Sequence, residues 1–210
     1  MTSFFGSDGK FHRFGTILAD IMLIGIIWII FSVPLVTIGA TTTALYYVCT
    51  KKCSGKDEYI VRGFLKSFKE NFFKSTVVFL LLVLVLVMAL INLWILAQIE
   101  MGWLTLPTYI SLYFVIMQVV FITTHVFCII SRFETTIVGA FKSAFFMAHR
   151  HLLTTIINIA LLLTIIYVAM SLTFLMLFIM GIYLYLSSIL FVNIFRKHYP
   201  DFDKLESARL

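Results

Sequence analysis

His125 and Gln118 are the side chains in this sequence whose types and spacing come closest to a chemical site. They stand seven residues apart, two helical turns, so they share one helix face with Phe121 and Ile122 between them. An imidazole and an amide together in an apolar segment can line a polar pocket or a proton path. They can equally make two interhelical hydrogen bonds, each worth roughly 0.6 kcal/mol. Asn92 and Asn158 lie in other predicted spans and would complete a polar site in the membrane if their helices converge on the same depth. Ser171, Ser187, Ser188 and Asn193 are further polar groups in such stretches. Asp20 stands about one turn into the first of them, where it can serve as a proton site or pair with Arg13 or another basic residue.

No catalytic constellation accompanies these residues. The sequence has no paired intramembrane carboxylates, no His-Glu-x-x-His helix, no Gly-x-Ser-x-Gly elbow and no Walker loop, so it reads as a non-enzyme with no cofactor. Cys49 and Cys53 are four apart with no further ligands near them. With Cys128 they make an odd count, which argues against both a metal site and a disulfide framework. The cluster His149-Arg150-His151 does not place its two imidazoles on one helical face, and its position suits lipid headgroups.

The elements that must position these groups are set by hydropathy. The chain is 61% hydrophobic and only 12% charged, with a mean hydropathy of +1.05. A soluble domain is roughly half apolar, so lipid must be the solvent here. All 16 Lys and Arg residues fall outside three apolar stretches, 16–50, 75–131 and 152–195. Short loops rich in Lys and Arg remain cytoplasmic, so each stretch leaves the cytoplasm and returns to it. The net charge of +6 therefore points to anionic lipid rather than to nucleic acid. Lys10, His12 and Arg13 precede an apolar run too long for a signal-peptide core, which makes it a retained span.

The expected architecture is all-α, a six-span helix bundle of three hairpins forming one integral membrane domain over 1–210. The predicted spans are 16–33, 35–50, 76–97, 108–130, 152–170 and 174–195. Both termini are then cytoplasmic, in a multi-pass cell-membrane protein. Pro34 separates the first two spans. The second is short and rich in threonine, so a re-entrant segment stands beside a full crossing. Gly39 with Thr43, and Ala40 with Ala44, are small pairs at four-residue spacing that allow close helix approach. Gln98, Glu100, Gly102, Trp103 and Pro107 form an outer turn. The 44 residues of 152–195 would extend about 66 Å as one helix, so they fold back, with a turn near Met170–Thr173. A polar tail covers 198–210.

Two basic leads join the hairpins. In 54–74, Ile60, Phe64, Phe68 and Phe72 recur every four residues, with Arg62, Lys66, Lys69 and Glu70 on other faces. Ser54 and Asp57 are candidate N-caps, and Glu58–Arg62, Lys66–Glu70 and Glu70–Lys74 are opposite charges four apart. In 131–151, Phe133, Ile137, Phe141, Phe145 and Ala148 line one side, with Lys142 and Arg150 outside it. Phe64, Lys66, Phe68, Lys69, Phe72, Phe141, Lys142 and Arg150 are thus candidate contacts to the lipid interface. Phe64-Leu65-Lys66-Ser67 and Ala140-Phe141-Lys142-Ser143 are alike enough to hint at a repeat of lead plus hairpin.

Two stretches resemble the YesL family of small, largely uncharacterised bacterial membrane proteins. One is Ser32-Val33-Pro34-Leu35-Val36-Thr37-Ile38-Gly39-Ala40, continuing through Thr43-Ala44-Leu45-Tyr46. The other is Phe64-Leu65-Lys66-Ser67-Phe68-Lys69-Glu70-Asn71-Phe72. Phe11, Arg13 and Asp20 extend the likeness to the N-terminal lead. Pro34, Thr37, Gly39, Ala40 and Ala44 carry its hairpin motif. The resemblance covers roughly the first 75 residues. It implies an accessory protein that contacts the permease subunits of a carbohydrate ABC importer, and it brings no catalytic residues. The alternative is a small autonomous transporter or channel with a polar site between hairpins; a homo-oligomer is compatible with either.

Overall fold

The computed structural model describes residues 10–55, 59–98, 102–171 and 176–198. Seven α-helices account for nearly all of them: α1 Lys10–Ser32, α2 Ile38–Cys53, α3 Ile60–Leu96, α4 Thr105–Arg132, α5 Ile137–Arg150, α6 Leu152–Ser171 and α7 Met176–His198. Short 3-10 turns at Leu35–Thr37 and Gly102–Leu104 precede α2 and α4. Asp57, the Glu58–Arg62 pair, Glu100, Thr173 and the tail beyond residue 198 lie outside the described residues.

Four helical segments are long and apolar enough to cross a membrane: Gly15–Ser32, Ile60–Leu96, Gly102–Arg132 and Phe178–Lys197. The consecutive pair α5 and α6, bent by 97° at His151, would add a fifth. Several such helices in one chain are the mark of a multi-pass membrane protein. Helix α2, predicted as the second of six spans, has only 16 residues, about 24 Å at helical rise.

What sets α2 apart is its position. Every residue from Gly39 to Lys51 is buried, because α2 packs against α1, α3, α4 and α7 at once. A helix shielded by protein on all sides needs no lipid-compatible exterior, which explains how one so rich in threonine can sit at the centre. Its hydroxyls are satisfied locally. Thr43 Oγ1 donates to the Gly39 carbonyl at 2.9 Å, Thr50 Oγ1 donates to the Tyr46 carbonyl at 2.7 Å, and Thr42 Oγ1 accepts from Trp28 Nε1 at 3.2 Å.

The small residues at the start of α2 decide how closely α3 approaches. A Cβ built on Gly39 would lie 2.6 Å from both Phe79 Cβ and the Ser75 carbonyl oxygen. Gly181 does the same for α7, where an added Cβ would stand 2.1 Å from the Ile21 carbonyl oxygen. Hydrogen is the only side chain that fits at either crossing.

Three expected boundaries are corrected. The amphipathic lead 54–74 and the span 76–97 are one uninterrupted helix, α3, because nothing between Gly63 and Leu96 breaks it. Ser54 does not open that helix. It is the C-cap of α2, its N–H bonded to the Thr50 and Lys51 carbonyls, and the N-cap of α3 is Tyr59. The lead 131–151 also divides, since α4 continues to Arg132 before α5 starts under a Thr136 cap whose Oγ1 accepts from the Gly139 N–H at 3.1 Å.

Candidate functional site around the buried helix α2

The four candidate polar residues of the membrane region do not converge. Gln118 is half-buried, and its Nε2 faces Nε2 of His149 on α5 at 3.3 Å. The His149 Nδ1–H donates to the Phe145 carbonyl at 2.8 Å, which turns Nε2 toward the Gln118 amide. His125, fully buried, turns to α6 instead. Its Nδ1 is 2.8 Å from Thr124 Oγ1 and 3.3 Å from the Phe121 carbonyl. Thr124 spends its own hydrogen on that carbonyl at 2.8 Å, so the imidazole Nδ1–H donates to Thr124, while Nε2 lies 3.4 Å from Thr155 Oγ1, whose hydroxyl is within 3.0 Å of the Ala148 carbonyl. Gln118 and His125 share a helix but serve two different neighbours.

Asn92 is exposed on α3 and, among the described residues, bonds its own helix, Nδ2 donating to the Met88 carbonyl at 2.7 Å. Asn158 on α6 is fully buried, and neither amide atom is hydrogen-bonded among the described residues. It lies one turn beyond Thr155 and hence on the same buried face.

A more extensive polar seam runs where α2 crosses α7. Tyr46 Oη and Ser187 Oγ are 3.1 Å apart, joining residues 141 positions distant in sequence. Phe191 sits between this pair and the histidine, with ring centroids 5.9 Å from Tyr46 and 5.1 Å from His125. At the far end of α2, Lys51 Nζ lies 4.6 Å from the Tyr47 ring centroid and the Arg132 guanidinium 5.9 Å from it. Two nearly buried cations flanking one ring exploit its negative faces. Lys51 and Tyr47 are four apart on α2, but the other contacts join remote segments through side chains of ordinary type and were not legible from spacing.

Asp20 forms an ion pair with Lys52 that ties α1 to α2. Cys49 and Cys128 are buried free thiols. Cys53, at the C-terminal end of α2, is also free, and burial pushes its thiol up to about 11. Among the described residues no group of three His, Cys, Asp or Glu side chains is gathered to hold a metal.

The aromatic stripe expected at the lipid interface faces largely inward. Phe64 is only 1% exposed and meets Phe31 of α1 edge-on at 4.8 Å between centroids, with Phe68 at 5.5 Å from the same ring. Phe72 extends the stack and is partly exposed. Lys66 and Lys69 point outward from α3. On α5 the buried stripe is Ala140, Ala144 and Ala148 rather than the phenylalanines. This row of methyls lets α5 lie close on α4, while Phe141 is half-buried and Lys142 and Arg150 are exposed. Of the hairpin residues, Pro34 and Thr37 lie in the turn, and Gly39, Ala40 and Ala44 are buried on α2.

The family described as "Protein of unknown function, DUF624" matches residues 21–93 of this chain. That segment runs from the middle of α1 through the Pro34 turn and α2 almost to the end of α3. No curated protein and no solved structure matches.

Proposed function

We propose that this chain is a YesL-type, multi-pass protein of the cell membrane that performs no chemistry of its own and assists the permease subunits of a carbohydrate ABC importer. Residues 21–93 match a family that YesL-type proteins carry, which supports the first part of this reading. The importer follows from the family resemblance alone. Three hairpins enter from the cytoplasm and both termini remain there, in keeping with the distribution of Lys and Arg. The basic faces bearing Lys66, Lys69, Lys142 and Arg150 meet anionic headgroups or the partner.

The observation that carries the accessory role is the dispersal of the polar candidates. Gln118, His125 and Asn92 are each engaged in a separate local or interhelical bond, on α5, α6 and α3 respectively. A transporter's binding site brings several such groups to one place near the midplane. The test is reconstitution of the purified chain alone, with and without the substitution His125→Leu. Sugar flux equal to that of empty vesicles for both proteins agrees with the accessory role. Flux that His125→Leu abolishes, with normal folding, would establish the autonomous transporter instead.

A further inference from the structure

The turn between α1 and α2 and the turn between α3 and α4 both expose large apolar side chains, Trp103 and Leu106 among them in the latter, but they differ in polar content. The latter carries Gln98 and Gly102, and follows a helix that has run 22 residues past its last charge, Lys74. The former carries no charge at all. Its outermost side chains are large and apolar: Ile30, Val33, Leu35 and Val36 are 60%, 76%, 73% and 49% exposed. Four such groups on a turn in water would be unfavourable, and a turn that emerges on the far side of a membrane is normally polar.

The polar backbone of this turn is served from within. Thr37 Oγ1 donates to the Phe31 carbonyl at 2.5 Å and lies 2.6 Å from the Pro34 carbonyl, and Thr41 Oγ1 reaches the Phe31 carbonyl at 3.2 Å. The Thr37 N–H closes on the Pro34 carbonyl at 2.8 Å. Pro34 removes one N–H that would otherwise need a partner. A helix C-terminus leaves its last carbonyls unpaired, and in water solvent would satisfy them. Here threonine hydroxyls do so for the Phe31 carbonyl, as non-helical backbone at membrane depth favours.

Register along α3 supplies an independent argument. Helix α2 runs antiparallel to the first half of α3, and its N-terminal Gly39 rests on Ser75 and Phe79. Those residues begin the apolar half of α3, directly after Lys74. From Phe79, α3 continues to Leu96, roughly another 26 Å. The α1–α2 turn therefore stops near the start of the apolar half of α3, well short of its outer end.

We infer that α1 and α2 form a re-entrant hairpin, entering from the cytoplasmic side and ending with the Ile30, Val33, Leu35 and Val36 tip among lipid acyl chains. This deepens the proposed arrangement of three hairpins, replacing the first pair of full crossings. It also keeps Lys51 and the basic start of α3 cytoplasmic without requiring the short α2 to span.

The test places single cysteines at Leu35→Cys and, as a second variant, Val33→Cys, with Lys66→Cys and Gln98→Cys as inner and outer references; the unsubstituted chain supplies the blank. Each is exposed in intact cells and inverted vesicles to a membrane-impermeant maleimide. The tip positions should react from either side at least about tenfold more slowly than the matching reference. A spin label at 35 should be relaxed by dissolved oxygen far more than by a water-soluble nickel chelate, the reverse of position 98. Labelling from outside at the rate of position 98 would show a full crossing, and labelling from inside at the rate of position 66 would place the tip in water. Poor access to both oxygen and nickel would put the tip against protein. Any of these three results overturns the inference. Failure of the importer association leaves these readouts unchanged, so the two proposals stand or fall separately.

Discussion

Replacing Gly39 by alanine tests the central packing of α2 with the smallest side chain available. The new methyl would sit 2.6 Å from Phe79 Cβ and from the Ser75 carbonyl oxygen, with Phe127 Cε1 at 3.2 Å. Ordinary contact begins near 3.4 Å, so α2 and α3 must part by about 0.8 Å, and the obstructing carbonyl is backbone that cannot rotate away. Overpacking of this kind costs about 1–3 kcal/mol. Alanine returns up to about 1 kcal/mol of helix propensity, less here because Gly39 is only the second residue of α2. The net expectation is a loss of about 1–2 kcal/mol. Gly15→Ala is the internal control, because an added Cβ there meets nothing within 4 Å, so it should stabilise by up to about 1 kcal/mol. Thermal unfolding in one detergent, followed by tryptophan fluorescence, gives both shifts. Equal shifts for the two variants, or a more stable Gly39→Ala protein, would refute the close approach of α2 and α3.

Other expectations follow from single contacts. Asn158→Leu should be neutral or raise stability by about 1 kcal/mol, because it removes two buried amide atoms that are not hydrogen-bonded among the described residues; a loss above about 2 kcal/mol would show that the amide has a partner. Tyr46→Phe should cost about 0.5–1.5 kcal/mol by removing the hydroxyl that bonds Ser187, and no measurable loss would count against the α2–α7 seam. Cys53 should alkylate slowly at neutral pH. Burial disfavours its thiolate, so the rate should climb about tenfold per pH unit until the pH nears 11. A rate that levels off near pH 8.5 would contradict the buried thiol.

Much of this arrangement could be read from the sequence, for a physical reason: lipid excludes charge, so clusters of Lys and Arg mark where helices leave it. The apolar stretches became α1, α3, α4, α6 and α7 in the expected order. The boundary placed near residue 75 is a change in side-chain character, and α3 continues through it because a change from charged to apolar side chains breaks no backbone bond. Which apolar residues face protein was much less legible. Lipid and core are equally apolar, so the Phe64 stripe carries the same pattern whether it points outward or, as in the structure, toward Phe31. The contrast on α5, where alanines rather than phenylalanines are buried, has the same cause. The scattering of Gln118, His125, Asn92 and Asn158 depended on helix rotation, which seven-residue spacing within one helix does not report.

The accessory role meets its most direct test in purification from native membranes with the surrounding lipid kept intact. Recovery of sugar-permease subunits in fixed proportion to this chain, lost when Lys66 and Lys69 are both changed to glutamate, is the predicted result. Repeated recovery of the chain alone, or only with copies of itself, would contradict it.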